Sequence, residues 1–137
     1  MSAEQNKALA RRFYEVFNAG STEKLDDLIP PDYIQHAPGV PPGRDGVKMF
    51  MGMFRAAFPD AHLHIEDLVA EGDRVSGRWT VHGTQKGELM GIPATGKTIQ
   101  ISGIDIWRVE NGLLAEHWDS WDQMGMMQQL GAMTPPG

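Results

Sequence analysis

Apolar residues recur at helical spacing in two stretches of the N-terminal half. Leu9, Phe13, Val16 and Phe17 share one face while Lys7, Arg11, Arg12 and Glu15 fall elsewhere, which predicts an amphipathic helix. Ser2 stands ready to cap it, with Gln5 at the capping-box position, and Asn18-Ala19-Gly20 ends it. Thr22 predicts the start of a shorter helix that Pro30-Pro31 terminates. After the segment DYIQHAPG and the Pro/Gly-rich VPPGRDG, a second strong helix carries Val47, Phe50, Met51, Phe54 and Phe58. Pro59-Asp60 closes it.

From Ala61 the rhythm changes to a period of two. LHIEDLVAEG, DRVSGRWTVHGTQ, KTIQISGIDIWRVE and LLAEHWDSWD alternate with turn signals such as Glu71-Gly72-Asp73 and Asn111-Gly112. A short helical piece, WDQMGMMQQLG, and a Pro-rich tail follow. Helices first and hairpin-connected strands afterwards predict an α+β fold with an antiparallel sheet, in one domain spanning residues 1–137.

GIPATGKT, Gly91 to Thr98, fits the phosphate-loop pattern G-x-x-x-x-G-K-[ST] letter for letter. Such a loop needs a buried strand before it and a helix after it, whose N-terminal N–H groups hold the phosphates. TQKGELM before it is no buried strand, and TIQISGIDIW after it reads as a strand. The motif is therefore a hairpin loop, with Met90 and Ile92 expected to lean over a pocket.

Charge and composition narrow the partners. A net charge of −6 argues against nucleic acid or an anionic membrane surface. The absence of cysteine removes disulfides, thiolate metal sites and cysteine nucleophiles together. No signal-peptide pattern opens the chain, so a cytoplasmic location is expected. His62-x-His64 has metal-ligand spacing on a strand, but the sequence shows no third ligand nearby, and no metal site is predicted.

The segment EHWDSWD is unusual for a strand. Leu113, Ala115, His117, Asp119 and Trp121 share one face, which sets an imidazole and a carboxylate two residues apart among apolar neighbours. That is costly unless the groups are paired or used. A two-residue Asn111-Gly112 turn would pair Glu110 with Leu113 and set Ile104 opposite Asp119. A three-residue loop would pair Val109 with Leu113, Asp105 with His117 and Gly103 with Asp119. The second register is preferred, because it gathers Val109, Trp107, Leu113 and Ala115 into one apolar face with Asp105, His117 and Asp119 at its far end.

GELMGIPATGKTIQISGIDIWRVENGLLAEHWDSWD resembles the SnoaL-like polyketide cyclase family of the NTF2-like superfamily. ARRFYEVFNAGSTEKLDDLIPPDYIQHAPG and GRDGVKMFMGMFRAAFPDAHLHIEDLVAEGD resemble it too, so the likeness covers nearly the whole chain. It implies a cystatin-like cone: a curved antiparallel sheet wrapped around the N-terminal helices, enclosing an apolar cavity. It also implies a homodimer joined through the outer face of the sheet. In the cyclases this chain resembles, an Asp of the final strand is general acid/base, and Asp119 holds the matching place. A His and a Gln on the preceding strand assist there, and those places hold Asp105 and Gly103 here. Gln35 matches an Asn that those enzymes use, and His36 stands beside it.

The expected chemistry follows. A carboxylate in a dry cavity has its pKa raised, and a second one nearby raises one member of the pair further. Such a base removes a proton from carbon α to a carbonyl and returns it to oxygen after ring closure. Asp119, Asp105 and His117 are the candidate catalytic residues. Phe17, Phe50, Phe54, Met51, Met90, Ile92 and Trp107, with Gln35 and His36, are expected to bind a small apolar carbonyl-containing substrate. Neither metal nor redox cofactor is required. Two other readings stand beside this one: an epoxide hydrolase using an Asp-Arg-Asp set, and a non-catalytic ligand-binding module.

Overall fold

The computed structural model describes residues 2–132. Helix α1 spans Ala3–Ala19, and its start is a reciprocal capping box. Gln5 N–H donates to Ser2 Oγ at 3.1 Å, and Ser2 N–H donates to Gln5 Oε1 at 2.8 Å. The predicted second helix is a short 3-10 turn, Glu23–Asp27. Helix α2 runs Gly43–Ala57 and places Val47, Met51 and Phe54 inward. A short helix α3, Gln123–Gln129, follows the last strand, with Asp122 as its N-cap. No helix among the described residues is long and apolar enough to cross a membrane.

The strands are β1 (Ile34–Gln35), β2 (His62–Glu71), β3 (Arg74–Thr84), β4 (Thr98–Glu110) and β5 (Leu113–Trp121). They form one sheet in the order β1-β5-β4-β3-β2. The sheet is mixed rather than wholly antiparallel, because β1 runs parallel to β5, pairing Ile34 with Glu116 and Gln35 with His117. That short strand sits in the DYIQHAPG segment and brings Gln35 beside His117, in the middle of β5.

Inward side chains of β3 and β4 alternate strictly, with Val75, Gly77, Trp79 and Val81 facing Trp107, Asp105, Gly103 and Ile101 across the ladder. Helices α1 and α2 cover this face, and the space between is the core. Trp107 is fully buried there. The loop from Gln85 to Lys97 contains GIPATGK, and the last residue of the motif, Thr98, opens β4, so a strand and not a helix follows it.

The β4–β5 hairpin corrects the preferred register. Asn111 and Gly112 are both left-handed, with φ of 53° and 76°, which is the signature of a two-residue type I′ turn. Glu110 therefore pairs with Leu113 and Val109 with Leu114. A bulge then inserts Ala115, so Arg108 meets Glu116, Trp107 meets His117, Asp105 meets Asp119 and Gly103 meets Trp121. Leu114 and Ala115 are both buried, and beyond them His117 and Asp119 face inward.

Candidate functional site

Helices α1 and α2 and the inner face of the sheet enclose a cavity of about 110 Å³. Phe17, Phe50, Met51 and Phe54 line it, as do Gln35, Asp105, His117 and Asp119. Four other expected residues do not. Met90 is the exposed, left-handed corner of a turn bridged by Leu89 and Ile92, and Leu89 is the residue that turns inward. Ile92 stays at that turn, outside the cavity lining. Trp107 lies deeper than the cavity wall, where its Nε1 donates to Tyr33 Oη at 2.9 Å. His36 follows the inward Gln35 and therefore points to the opposite face, stacking on Trp118 and meeting Glu116 at 2.8 Å.

At one end of the cavity β4 and β5 set two carboxylates directly across from each other, Asp105 and Asp119. Like charges in that position repel unless something intervenes. His117, diagonal to Asp105, places Nε2 at 2.8 Å from Asp105 Oδ1. Tyr14 Oη and Trp79 Nε1 donate to the other oxygen, Oδ2, at 2.7 and 2.8 Å. Every oxygen of Asp105 is thus engaged. Burial, reinforced by the Asp105 carboxylate, pushes the Tyr14 hydroxyl far above its ordinary pKa, so it stays a donor.

Two glycines make this possible. Gly77 lies opposite Asp105, and a Cβ there would collide with the Tyr14 hydroxyl. A Cβ on Gly103 would collide with the indole of Trp79. The absence of a side chain at Gly103 is the space that lets Trp79 reach Asp105.

The hydrogen bonds also count protons. Ala37 N–H donates to Gln35 Oε1 at 3.0 Å, so that atom must be the amide oxygen. The same oxygen lies 2.7 Å from His117 Nδ1, which must then be a donor. A single proton consequently occupies the contact between His117 Nε2 and Asp105 Oδ1. Wherever that proton rests, the pair is neutral as a unit.

Asp119 is different. Oδ1 of Asp119 is buried with no hydrogen-bond partner among the described residues. The cations that could pair with it are committed on the outer face: Arg78 to Asp67 at 2.6 Å, and Arg108 to Glu116 at 2.8 Å and Glu110 at 3.0 Å. Asp122, not Asp119, caps α3. Burial raises the carboxyl of Asp119 above the usual range; His117 opposes this and the Asp105 charge adds to it. Asp105, His117 and Asp119 each offer a donor atom within 4.8 Å of the others. A metal ion there would have to displace an existing bond, since both nitrogens of His117 are engaged.

Neither Tyr14 nor Trp79 is among the candidate site residues that the sequence pattern singles out. Trp79 carried a signal in its inward phase on β3, but Tyr14 meets Asp105 from 91 positions away, and nothing local announces that contact.

The comparisons with known proteins agree with this architecture. The family model described as SnoaL-like polyketide cyclase matches residues 7–130. Nogalonic acid methyl ester cyclase of Streptomyces nogalater is 29% identical over 123 residues, covering 87% of this chain and 92% of that protein. Aklanonic acid methyl ester cyclase DnrD of Streptomyces peucetius is 29% identical over 133 residues, covering 93% and 91%. The structure of TsrD from Streptomyces laurentii superimposes with a TM-score of 0.90 at 34% identity, covering 97% of this chain and 99% of that one. A match that runs from the first helix to the last, with a superposition of that quality, makes this chain a member of the SnoaL-like polyketide cyclase family.

Proposed function

We propose that the protein is a cofactor-free acid/base catalyst that cyclises, by intramolecular aldol addition, or isomerises a small apolar carbonyl-containing substrate. The observation carrying this reading is the unpartnered, buried oxygen of Asp119 at the end of an apolar cavity. A raised carboxyl pKa suits a base that must take a proton from carbon and later return it. In the forward step Asp119 accepts the proton from carbon α. The enolate carbon attacks a second carbonyl carbon of the same molecule, and the protonated Asp119 gives its proton to the new alkoxide. The neutral His117–Asp105 unit places a dipole beside the reacting atoms without adding a net charge that would suppress the base. The two curated relatives are named as methyl ester cyclases, which agrees with carbonyl chemistry of this kind.

An apolar cavity of about 150 Å³ accepts a single aromatic ring. The enclosed space here is of that order, so a longer substrate displaces the half-buried Val40 and Phe50 at its rim. The same reading includes a homodimer through the outer face of the sheet, where Ile104 and Ile106 are exposed. Sedimentation equilibrium tests it, and a monomer at all concentrations removes it.

Exchange of solvent deuterium into an activated ketone ester tests the chemistry. Asp119→Asn should reduce exchange and turnover by about 10²–10⁴-fold with ligand affinity largely kept. Turnover retained in that variant rules Asp119 out as the base. Binding without turnover in the unsubstituted protein favours a ligand-binding module.

A further inference from the structure

The outer face of the sheet carries a second set of ligand-type side chains. His62 and His64 point outward on β2, on either side of the inward Leu63. His82 points outward on β3 and is the direct register partner of His62. This is the third imidazole that the sequence alone did not bring to the His62-x-His64 pair. Ring centres of His62 and His64 are 4.7 Å apart, and those of His64 and His82 are 5.5 Å apart.

Those spacings have a chemical meaning. Zinc bound tetrahedrally at about 2.0–2.1 Å from imidazole nitrogen sets the centres of two ligand rings roughly 5 Å apart. The two measured separations bracket that value. All three rings are exposed in the single chain, and among the described residues none has a hydrogen-bond or ion-pair partner that a metal would have to displace. Three imidazoles without thiolate suit a borderline divalent ion such as zinc, copper(II) or nickel better than magnesium or calcium.

We propose that His62, His64 and His82 form a surface site for a borderline divalent transition ion of the zinc type, with water completing the tetrahedron. The ring nitrogens converge only after the side chains turn. Among the described residues, the group whose donor atoms already lie within 4.8 Å is the cavity set, Asp105, His117 and Asp119. Exposed side chains change rotamer on the ps–ns timescale, so closing the site asks for no backbone movement. The bound ion joins β2, the edge strand, to β3. It does so directly behind Leu63 and Val81, which line the cavity on the other side of the sheet.

Calorimetric titration of the untagged full chain with zinc chloride tests this, alongside His64→Ala, His82→Ala and Asp119→Asn. The expected result is one zinc per chain, weakened by more than about tenfold in each histidine variant, since even an outer-shell partner of a metal is worth 10–100-fold. Asp119→Asn should bind zinc as the unsubstituted protein does. Zinc should also shift the imidazole resonances of His62, His64 and His82 in the NMR spectrum. Undiminished binding in His64→Ala and His82→Ala overturns the proposal. So does loss of binding in Asp119→Asn alone, which would assign the ion to the cavity, and so does no zinc binding at all.

Discussion

Two histidine–carboxylate contacts of equal length stand on opposite faces of the same sheet. His117 meets Asp105 at 2.8 Å inside, and His36 meets Glu116 at 2.8 Å outside. Glu116 and His117 are sequence neighbours, and so are His36 and Gln35, the second partner of His117, because alternation along the chain deals one residue to each face. The inner side chains are 7% and 9% exposed, the outer ones 43% and 19%. Distance therefore says little about what each contact does. Outside, Arg108 first and His36 second hold the carboxyl of Glu116 below its usual range, and water can replace either partner. Inside, nothing replaces a lost partner, so the geometry is fixed by four side chains that must all be present.

The sharpest way to break this contrast is Asp105→Ala. It leaves the Tyr14 hydroxyl, the Trp79 N–H and His117 without their shared acceptor, and should destabilise the fold by about 3–5 kcal/mol in equilibrium denaturation. A loss under about 1 kcal/mol would put the inner pair in the same class as a surface contact.

Gly77→Ala is the next test. It adds one methyl where the Tyr14 hydroxyl sits, and overpacking of this kind costs about 1–3 kcal/mol. Near-UV circular dichroism should report the moved tyrosine, and an unchanged spectrum with unchanged stability would mean that α1 yields freely.

Asp119→Asn sharpens the comparison through pH. Because the folded state raises this carboxyl, it holds the proton more tightly than the unfolded chain does. Wild-type stability from this group is then lost as pH rises from the ordinary carboxylate range, ~3.9, through the raised value. The stability difference should shift in favour of the variant across that window and level off above it. A difference that is flat with pH would mean that Asp119 titrates normally. The smallest effect belongs to His36→Ala, which should leave the melting temperature unchanged within error in high salt. A clear loss there would make the outer contact structural.

Much of this was legible in the sequence. The helical faces, the Asn111-Gly112 turn and the period-two strands each follow from local rules, and so does the face that His117 shares with Asp119. The hairpin register was not legible, because Leu114 and Ala115 are both apolar and either can be the buried one. Only the three-dimensional pairing shows that both are. Met90 and Ile92 failed as pocket residues because a Gly-rich loop has no periodicity to say which of its apolar residues turns in. The anchoring of Asp105 by Tyr14 and Trp79 depends on tertiary contacts and on two missing methyl groups, which leave no local pattern.

The bulge at Ala115 bears on how relatives are laid beside this chain. A relative with a regular hairpin would lack one residue, yet its counterparts of His117 and Asp119 would keep the same neighbours and the same face. The alignment gap then belongs at Ala115 rather than in the Asn111-Gly112 turn. Placing it within the turn would shift Leu113 and Leu114 by one position and give the first pairs of the hairpin the wrong partners.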